Sequence, residues 1–439
     1  MAKLNARLAQ VRTHEGAITS HINPELQLRR SVMACLLWED QFYEDGQSVA
    51  QRIVETIPKV APTTVAAMAI EAREQMKLRH VPLLLVREMA RLDTHKHLVA
   101  ATLARVIQRA DELSEFVAIY WREKRQPLSA QVKRGLASAF TKFHEYALAK
   151  YNRDGAVKLR DVLFLCHAKP KDAEQDALWK RLVSGELTTP DTWEVALSVG
   201  QDKKETWERL IQARKLGGLA VLRNLRNMKE VGVSDFVAFD ALANMKTERI
   251  LPFRFIAAAK YAPQWEPQIE SAMLRCLEGK ERLPGKTALV IDGSGSMFGT
   301  PISVKSEIDR FEAACALAIL ARELCEQCVI VVFSNRAFLV PSRRGFALRD
   351  TLYAHAEKSG THTQDGIMRA AQEGYDRLIV LTDEQSHQAV SNPLIGTRAY
   401  MINVASYQHG IGYGQFVHIS GFSESILHYI QASEEVAGG

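Results

Sequence analysis

Across 439 residues no apolar run approaches the roughly 20 residues that a membrane-spanning helix needs. The opening segment Met1-Ala2-Lys3-Leu4-Asn5-Ala6-Arg7 has no apolar stretch of the kind a secretory leader carries. Cysteine is scarce, with six residues at 35, 166, 276, 315, 325 and 328, too scattered for a disulfide framework. The one C-x-x-C, Cys325 and Cys328, has no second pair to complete a zinc site, and its place between an apolar helix and an apolar strand favours buried thiols over redox chemistry. A reducing, cytoplasmic setting is the expectation. Strand-like alternation is missing before about residue 281, and so is any repeated sequence period. No Ser-His-Asp arrangement with motif spacing is visible, which removes the commonest hydrolase readings.

What is present divides the chain into two unlike parts, as its length leads one to expect. Residues 1–285 hold 44 Lys and Arg against 35 Asp and Glu, whereas residues 286–439 hold 12 against 16. The first part is the candidate for a polyanion and the second for a metal, although an ordinary soluble surface accounts for the same excess. Helical apolar spacing runs through Val49–Thr56, Thr63–Lys77, Leu83–Leu92, Lys96–Ile107, Leu113–Trp121, Ser129–Tyr151, Leu159–His167, Ala173–Ser184 and Thr206–Ala213, and on through later segments to about Glu281. Pro58, Pro62 and Pro82 mark starts and stops. Helix pairs of this length stack into an α-solenoid. The breaker group Leu283-Pro284-Gly285-Lys286 then sets a boundary, giving expected domains 1–284 and 285–439. Beyond it, strands Thr287–Asp292, Val329–Phe333, Leu378–Thr382 and Ala399–Val404 alternate with helices Ile308–Glu326, Gln364–Tyr375 and Ser423–Ala432. That alternation predicts a mainly parallel sheet covered on both faces. Gly410-Ile411-Gly412-Tyr413-Gly414 imitates a dinucleotide fingerprint but follows no first strand, so it is read as a mobile loop.

The second part is organised around Asp292-Gly293-Ser294-Gly295-Ser296 at the end of its first strand. Ligand sites in open α/β sheets lie beyond the carboxyl ends of strands, and carboxylate and hydroxyl oxygens suit Mg²⁺ or another hard divalent cation. The D-x-S-x-S order resembles the metal-ion-dependent adhesion site of von Willebrand factor A-type domains. Two further pieces complete the likeness: Thr361, before helix Gln364–Tyr375, and Asp383, at the end of Leu378–Thr382. The resemblance implies metal ligation by Asp292, Ser294, Ser296, Thr361 and Asp383, with one position open.

In the first part, Gly217-Gly218-Leu219-Ala220-Val221-Leu222-Arg223-Asn224-Leu225-Arg226-Asn227-Met228 closely resembles a segment of the TROVE module of Ro autoantigens and their bacterial relatives. Arg160–Pro170, Pro252–Phe255 and His418–Ser425 resemble other pieces of such proteins. The resemblance implies HEAT-like helical repeats closed into a ring whose ends are bridged by the A-type domain. It implies binding of small noncoding Y-type RNA on the outer surface and of single-stranded ends of misfolded or decaying RNA in the hole. His167 falls on the family's RNA-contacting histidine and Lys150 on a basic contact. Another basic contact falls on Asp154, with Arg153 adjacent, a departure that puts RNA in general ahead of Y-type RNA.

Read from the residues themselves, Lys142, Lys150, Tyr151, Arg153, Lys158, Arg160, His167, Lys169 and Lys171 mix cations with groups on which bases stack, as single-strand binders do. Each cation has a plainer reading as a solvated surface charge. His167 is equally placed to cap a helix end. Arg226, inside an apolar helix, reads as a buried ion-pair partner, while Arg223 stands open between that role and RNA contact. The expected whole is a monomeric, non-enzymatic RNA-binding protein acting in RNA quality control or as a nuclease scaffold, with an exoribonuclease or other protein recruited through the metal site. The competing reading is a Mg²⁺-dependent protein-adhesion module with RNA secondary. A metal-dependent phosphotransferase is set aside, because Ser294 stands where a second acid is needed.

Overall fold

A computed structural model describes residues 11–13, 16–19, 23–34, 46–76, 78–152, 154–189, 191–198, 200–247, 250, 252–278, 281–301, 308–405, 410, 415–420, 430 and 434. They gather into two compact units. One comprises Pro24–Leu37 and Ala50–Gly200; the other comprises Met1–Asn23, Trp38–Val49 and Gln201–Gly439.

The first unit is helical. Its elements are α1 Pro24–Ala34, α2 Gly46–Thr56 (from Ala50 onward), α3 Pro62–Glu74, α4 Val81–Arg91, α5 Val99–Val106, α6 Asp111–Tyr120, α7 Ala130–Phe140, α8 Glu145–Tyr151, α9 Leu159–Cys166, α10 Ala173–Ser184 and α11 Trp193–Ser198. α3, α5, α7 and α9 pack in series, with α4 and α6 as a companion row. Leu103, Leu136, Phe140, Val162 and Trp179 are buried between them, and Phe140 meets Trp179 edge-on at 5.4 Å. α5 and α7 approach closely because Gly135 has no side chain: a Cβ there would stand 2.9 Å from Leu103 Cβ. The charges inside are paired. Glu112 receives Arg73 at 2.7 Å and the N–H groups of Gln108 and Arg109 at 2.8 and 3.0 Å, closing the open start of α6.

The helix expected over Ser129–Tyr151 is two helices. α7 ends at Phe140, Thr141 Oγ1 folds back onto Ser138 O at 2.8 Å, and Phe143 turns into the core before α8 begins. Neither Gly nor Pro marks this break, so nothing in the local sequence announced it.

The second unit joins a short antiparallel ribbon, β1 Val11–Arg12 and β2 Ile18–Thr19, to five helices and an α/β sheet. The helices are α12 Lys203–Gln212, α13 Gly218–Glu230, α14 Asp235–Asn244, α15 Pro252–Tyr261 and α16 Glu266–Arg275. The strands are β3 Leu283–Asp292, β4 Cys325–Phe333, β5 Ala337–Val340, β6 Arg377–Thr382, β7 Arg398–Asn403 and β8 Val417–Ser420; their helices are α17 Arg310–Leu324, α18 Gly345–His355 and α19 Thr363–Ala371. The sheet order is β5-β4-β3-β6-β7-β8, parallel except for β5, which pairs antiparallel with β4. β5 and β8 were not expected from the sequence, being four residues each. The expected helix Ser423–Ala432 and loop Gly410–Gly414 lie outside the described residues, apart from Gly410 and Ile430. Ion pairs lock α15 and α16 onto the sheet's helices: Lys260 to Glu312 at 3.1 Å and Arg349 to Glu266 at 3.3 Å.

Gly218 opens α13 where a Cβ would stand 2.2 Å from the Lys246 carbonyl oxygen, whereas a Cβ on Gly217 would meet nothing within 4 Å. Gly218→Ala is therefore expected to cost about 1–3 kcal/mol as an overpacked site, and Gly217→Ala to cost far less. Denaturant midpoints of the two variants check this contrast.

Candidate functional site

β3 and β6 run in register, with Ile291 opposite Leu381, so Asp292 and the Thr382–Asp383 pair leave the sheet at the same carboxyl edge. β4 lies on one side of β3 and β6 on the other, which makes this a topological switch point. A Cβ on Gly293 would stand 2.9 Å from Ala356 Cβ, so the first glycine of the motif lets the chain turn there against its neighbour. Asp292 accepts the Ser294 N–H at 2.9 Å and the Thr382 hydroxyl at 2.6 Å. Ser294 Oγ lies 3.3 Å from Ser296 Oγ, and Ser296 Oγ donates to Asp383 Oδ2 at 2.7 Å. Thr361 arrives on the segment before α19. Its carbonyl accepts from Ser386 Oγ at 3.1 Å and from the His387 N–H at 3.0 Å, while the Gly295 N–H donates to Ser359 O at 2.8 Å. Three loops carrying the five expected residues are thus tied together.

Asp292, Ser294, Thr361 and Asp383 are buried. Burial pushes the Asp292 carboxyl up to about 7, and the nearby Asp383 adds to it against the hydrogen bonds from Ser294 and Thr382. The sequence reading missed Arg310, a fully buried guanidinium 3.6 Å from Asp383 Oδ2. Its only signal was an arginine at the start of a largely apolar helix, with nothing in the sequence to name its partner. Two carboxyl groups thus stand against one guanidinium at this oxygen-lined edge. Among the described residues no group of three or more His, Cys, Asp or Glu is placed to hold a metal, since this set is two acids with hydroxyls.

The basic candidates other than Arg223 fall at several places in the helical unit. Lys142 sits in the break between α7 and α8, where its ammonium donates to the Ala104 and Ile107 carbonyls at the end of α5, the latter at 3.0 Å; burial lowers its pKa. It caps α5. Lys150 lies over the Tyr151 ring at 5.9 Å. Arg160 is exposed near the start of α9, with Asp161 at 4.0 Å. Arg153 lies outside the described residues. His167 ends α9 in the left-handed conformation at φ 53°, so the capping role holds for its backbone, while its ring is exposed and Nε2 stands 3.4 Å from Lys133 Nζ. Lys169 is exposed just beyond. Phe164, 60% exposed on α9, completes this end; sequence reasoning passed over it as one apolar residue among many.

Arg223 is exposed on α13. Burial, followed by the charge of Arg223, holds the Arg254 guanidinium below its usual range. Arg226 corrects an expectation: it is exposed, pairs with Glu230 one turn on at 3.0 Å, and lies 5.4 Å over the Tyr261 ring. A helix with exposed positions every third and fourth residue has room for such a pair at its surface, where desolvation costs little.

These features define a class: proteins that combine serially packed helices with a mixed α/β sheet bearing an oxygen-lined carboxyl edge. The family described as TROVE domain matches residues 177–283. The chain has the fold of a Ro protein. It resembles the crystal structure of Deinococcus radiodurans RO (RSR) protein with a TM-score of 0.57 at 18% identity, covering 90% of this chain and 96% of that one. Over 91 residues it is 36% identical to telomerase protein component 1 of Mus musculus and 35% identical to that of Rattus norvegicus. Each match covers 19% of this chain and only 4% of the relative's length. The segments Gly217–Met228 and Pro252–Phe255 lie inside the matched family region. No helix among the described residues is long and apolar enough to cross a membrane.

Proposed function

We propose that this chain is an RNA-binding component of a ribonucleoprotein, with RNA held along the helical unit and a divalent cation at the sheet's carboxyl edge. The observation that carries the RNA reading is the surface where α9 ends beside the start of α7. Phe164 and His167 present rings to solvent there, with Lys133 at 3.4 Å and Lys169 beyond. Rings on which bases stack, set among cations that meet phosphates, are what single-stranded RNA requires. The TROVE match and the Ro-like fold support the same reading, and with them the finer expectations: a ring closed by an A-type domain across a boundary near residue 284, Y-type RNA outside, misfolded RNA ends in the hole, and a role in quality control. A cytoplasmic, non-enzymatic monomer remains part of this reading.

The donor set at the carboxyl edge fits Mg²⁺: two buried carboxylates and the hydroxyls of Ser294 and Ser296 within one hydrogen-bonded group. Thr361 is the further candidate ligand, brought in by its loop. A bound cation would supply a Lewis-acidic position for an acidic side chain of a protein partner such as a nuclease. Asp292 and Asp383 would hold it, Thr382 orients Asp292, and Arg310 offsets part of the charge on Asp383.

A salt titration separates the parts of the RNA surface. Lys150→Ala is expected to weaken binding to a duplex with a single-stranded 3′ tail and to flatten the salt dependence by about 0.7–0.9 units of slope, since one counterion fewer is released. His167→Asn keeps the left-handed backbone and removes the ring, so binding should weaken by about 1–3 kcal/mol with the slope unchanged. Wild-type affinity in both variants would sink this surface.

A further inference from the structure

The loop that carries Asp383 is held from two sides. It has no helix or strand from Asp383 to Gln388, and Glu384 takes the left-handed conformation at φ 61° although it is not glycine. Such a backbone is costly for a residue with a Cβ and persists only where its surroundings impose it. On one side the bonds come from the segment before α19. Ser386 Oγ donates to Thr361 O at 3.1 Å, the His387 N–H donates to the same carbonyl at 3.0 Å, and the Thr361 N–H returns to His387 Nδ1 at 3.1 Å. These bonds tie Asp383 to Thr361, the two candidate ligands that lie outside the D-x-S-x-S stretch.

On the other side stands the ribbon of β1 and β2. Thr13, which follows β1, donates its hydroxyl to the Ser386 carbonyl at 3.0 Å, across 373 positions of sequence. The same hydroxyl accepts the Ala17 N–H at 3.0 Å, and the Thr13 N–H donates to Ala17 O at 2.9 Å, so the turn of the ribbon fixes the donor's direction. Gly16 at φ 93° closes that turn, and Arg12 Nη1 donates to its carbonyl at 2.7 Å. Thr13 is 4% exposed and Ser386 0%, which shields the bond from water that could replace it. Ribbon, loop and Thr361 segment all belong to the sheet-bearing unit. Ser386 is thus gripped twice, by its hydroxyl toward Thr361 and by its carbonyl toward Thr13. It lies three residues beyond Asp383, so its seat sets where Asp383 and Thr361 stand relative to each other. Mg²⁺ demands near-ideal octahedral geometry, and ligands that drift from it bind weakly.

We infer that Thr13 is a positioning residue for the cation site. Through Ser386 the ribbon clamps the Asp383–His387 loop, so cation affinity depends on the ribbon and, by reciprocity, the seating of the ribbon depends on the cation. The inference rests on the cation reading above and adds to it a means of regulation, since anything that draws the ribbon away loosens the site.

The test uses the full chain, with Mg²⁺ as the probe and two readouts. Calorimetric titration compares wild type with Thr13→Val, which keeps the shape and loses the hydroxyl, and with Thr13→Ser, which keeps the hydroxyl. Coupling between sites typically amounts to roughly 5–150-fold. Thr13→Val is therefore expected to weaken Mg²⁺ binding at least about fivefold, and Thr13→Ser to stay within about twofold of wild type. A bond that merely supported the fold would lower the melting temperature of the cation-free Thr13→Val chain and leave its Mg²⁺ affinity alone. The second readout needs no change in the ribbon: trypsin cuts after the exposed Arg12 when the ribbon opens. Saturating Mg²⁺ should slow that cut at least about fivefold in wild type and leave it unchanged in Asp292→Asn. Wild-type Mg²⁺ affinity in Thr13→Val, equal weakening in Thr13→Ser, or cleavage at Arg12 indifferent to Mg²⁺ overturns the clamp while the cation site stands. Absence of Mg²⁺ binding by wild type overturns both. Should Thr13→Val fail to fold, the cleavage of wild type decides.

Discussion

Replacing Asp292 by asparagine is expected to abolish the stabilisation that Mg²⁺ confers on the protein, while the cation-free variant melts within about 2 °C of wild type. Asparagine keeps the shape: its amide oxygen can accept the Ser294 N–H, which stands 2.9 Å from one carboxylate oxygen, and its NH2 can donate to the Thr382 hydroxyl oxygen, 2.6 Å from the other. What it removes is charge. In the cation-free chain that charge is a burden, because burial and the neighbouring Asp383 push the Asp292 carboxyl up to about 7. With a cation in place it becomes the principal ligand. A ligand at a hundredfold excess over its Kd stabilises the folded state by about 2.7 kcal/mol, worth roughly 5–10 °C in a unit of this size. Thermal melts of wild type and variant with and without Mg²⁺ read the effect. An equal cation-dependent rise in the variant would remove Asp292 from the site, and no rise in wild type at any Mg²⁺ concentration would remove the site.

The second large effect concerns RNA. Phe164→Ala combined with His167→Asn is expected to weaken binding of a single-stranded tail by at least about thirtyfold. Each lost stacking partner is worth roughly 1–3 kcal/mol per base, and every 1.4 kcal/mol is tenfold in affinity. Folding should be untouched: Phe164 is 60% exposed, and asparagine tolerates the left-handed φ of 53° at position 167 better than alanine does. Because neither substitution removes a cation, the salt slope should stay at the wild-type value. Fluorescence anisotropy across a salt series separates this outcome from general loss of charge. Undiminished affinity would take the RNA path away from the end of α9.

The carboxyl edge was legible in the sequence because strand ends and loops there are written as local signals. An apolar run followed by Asp292, and another followed by Asp383, needed only the parallel register of β3 with β6 to bring them together. Arg310 was not legible, since its contact with Asp383 bridges residues far apart in the chain. The helices were read well as elements and less well as surfaces. Whether a cation is occupied depends on neighbours one or more helices away: Lys142 looked like a phosphate contact and instead caps the end of α5. Phe164 likewise carries an apolar residue's signature, and its exposure follows only from how α9 is packed against α7 and α6. The break after Phe140 has no Gly or Pro to announce it. Propensity and periodicity locate helices; partners across the stack decide which side chains are left for a ligand.

The most direct test of the RNA reading is photo-crosslinking of the wild-type chain to a 4-thiouridine-substituted single strand, followed by mapping of the modified peptides. Adducts are expected within residues 160–171, lost on competition with unlabelled RNA and reduced at high salt. Adducts confined to the sheet-bearing residues 283–420, or none at saturating RNA, would contradict the account.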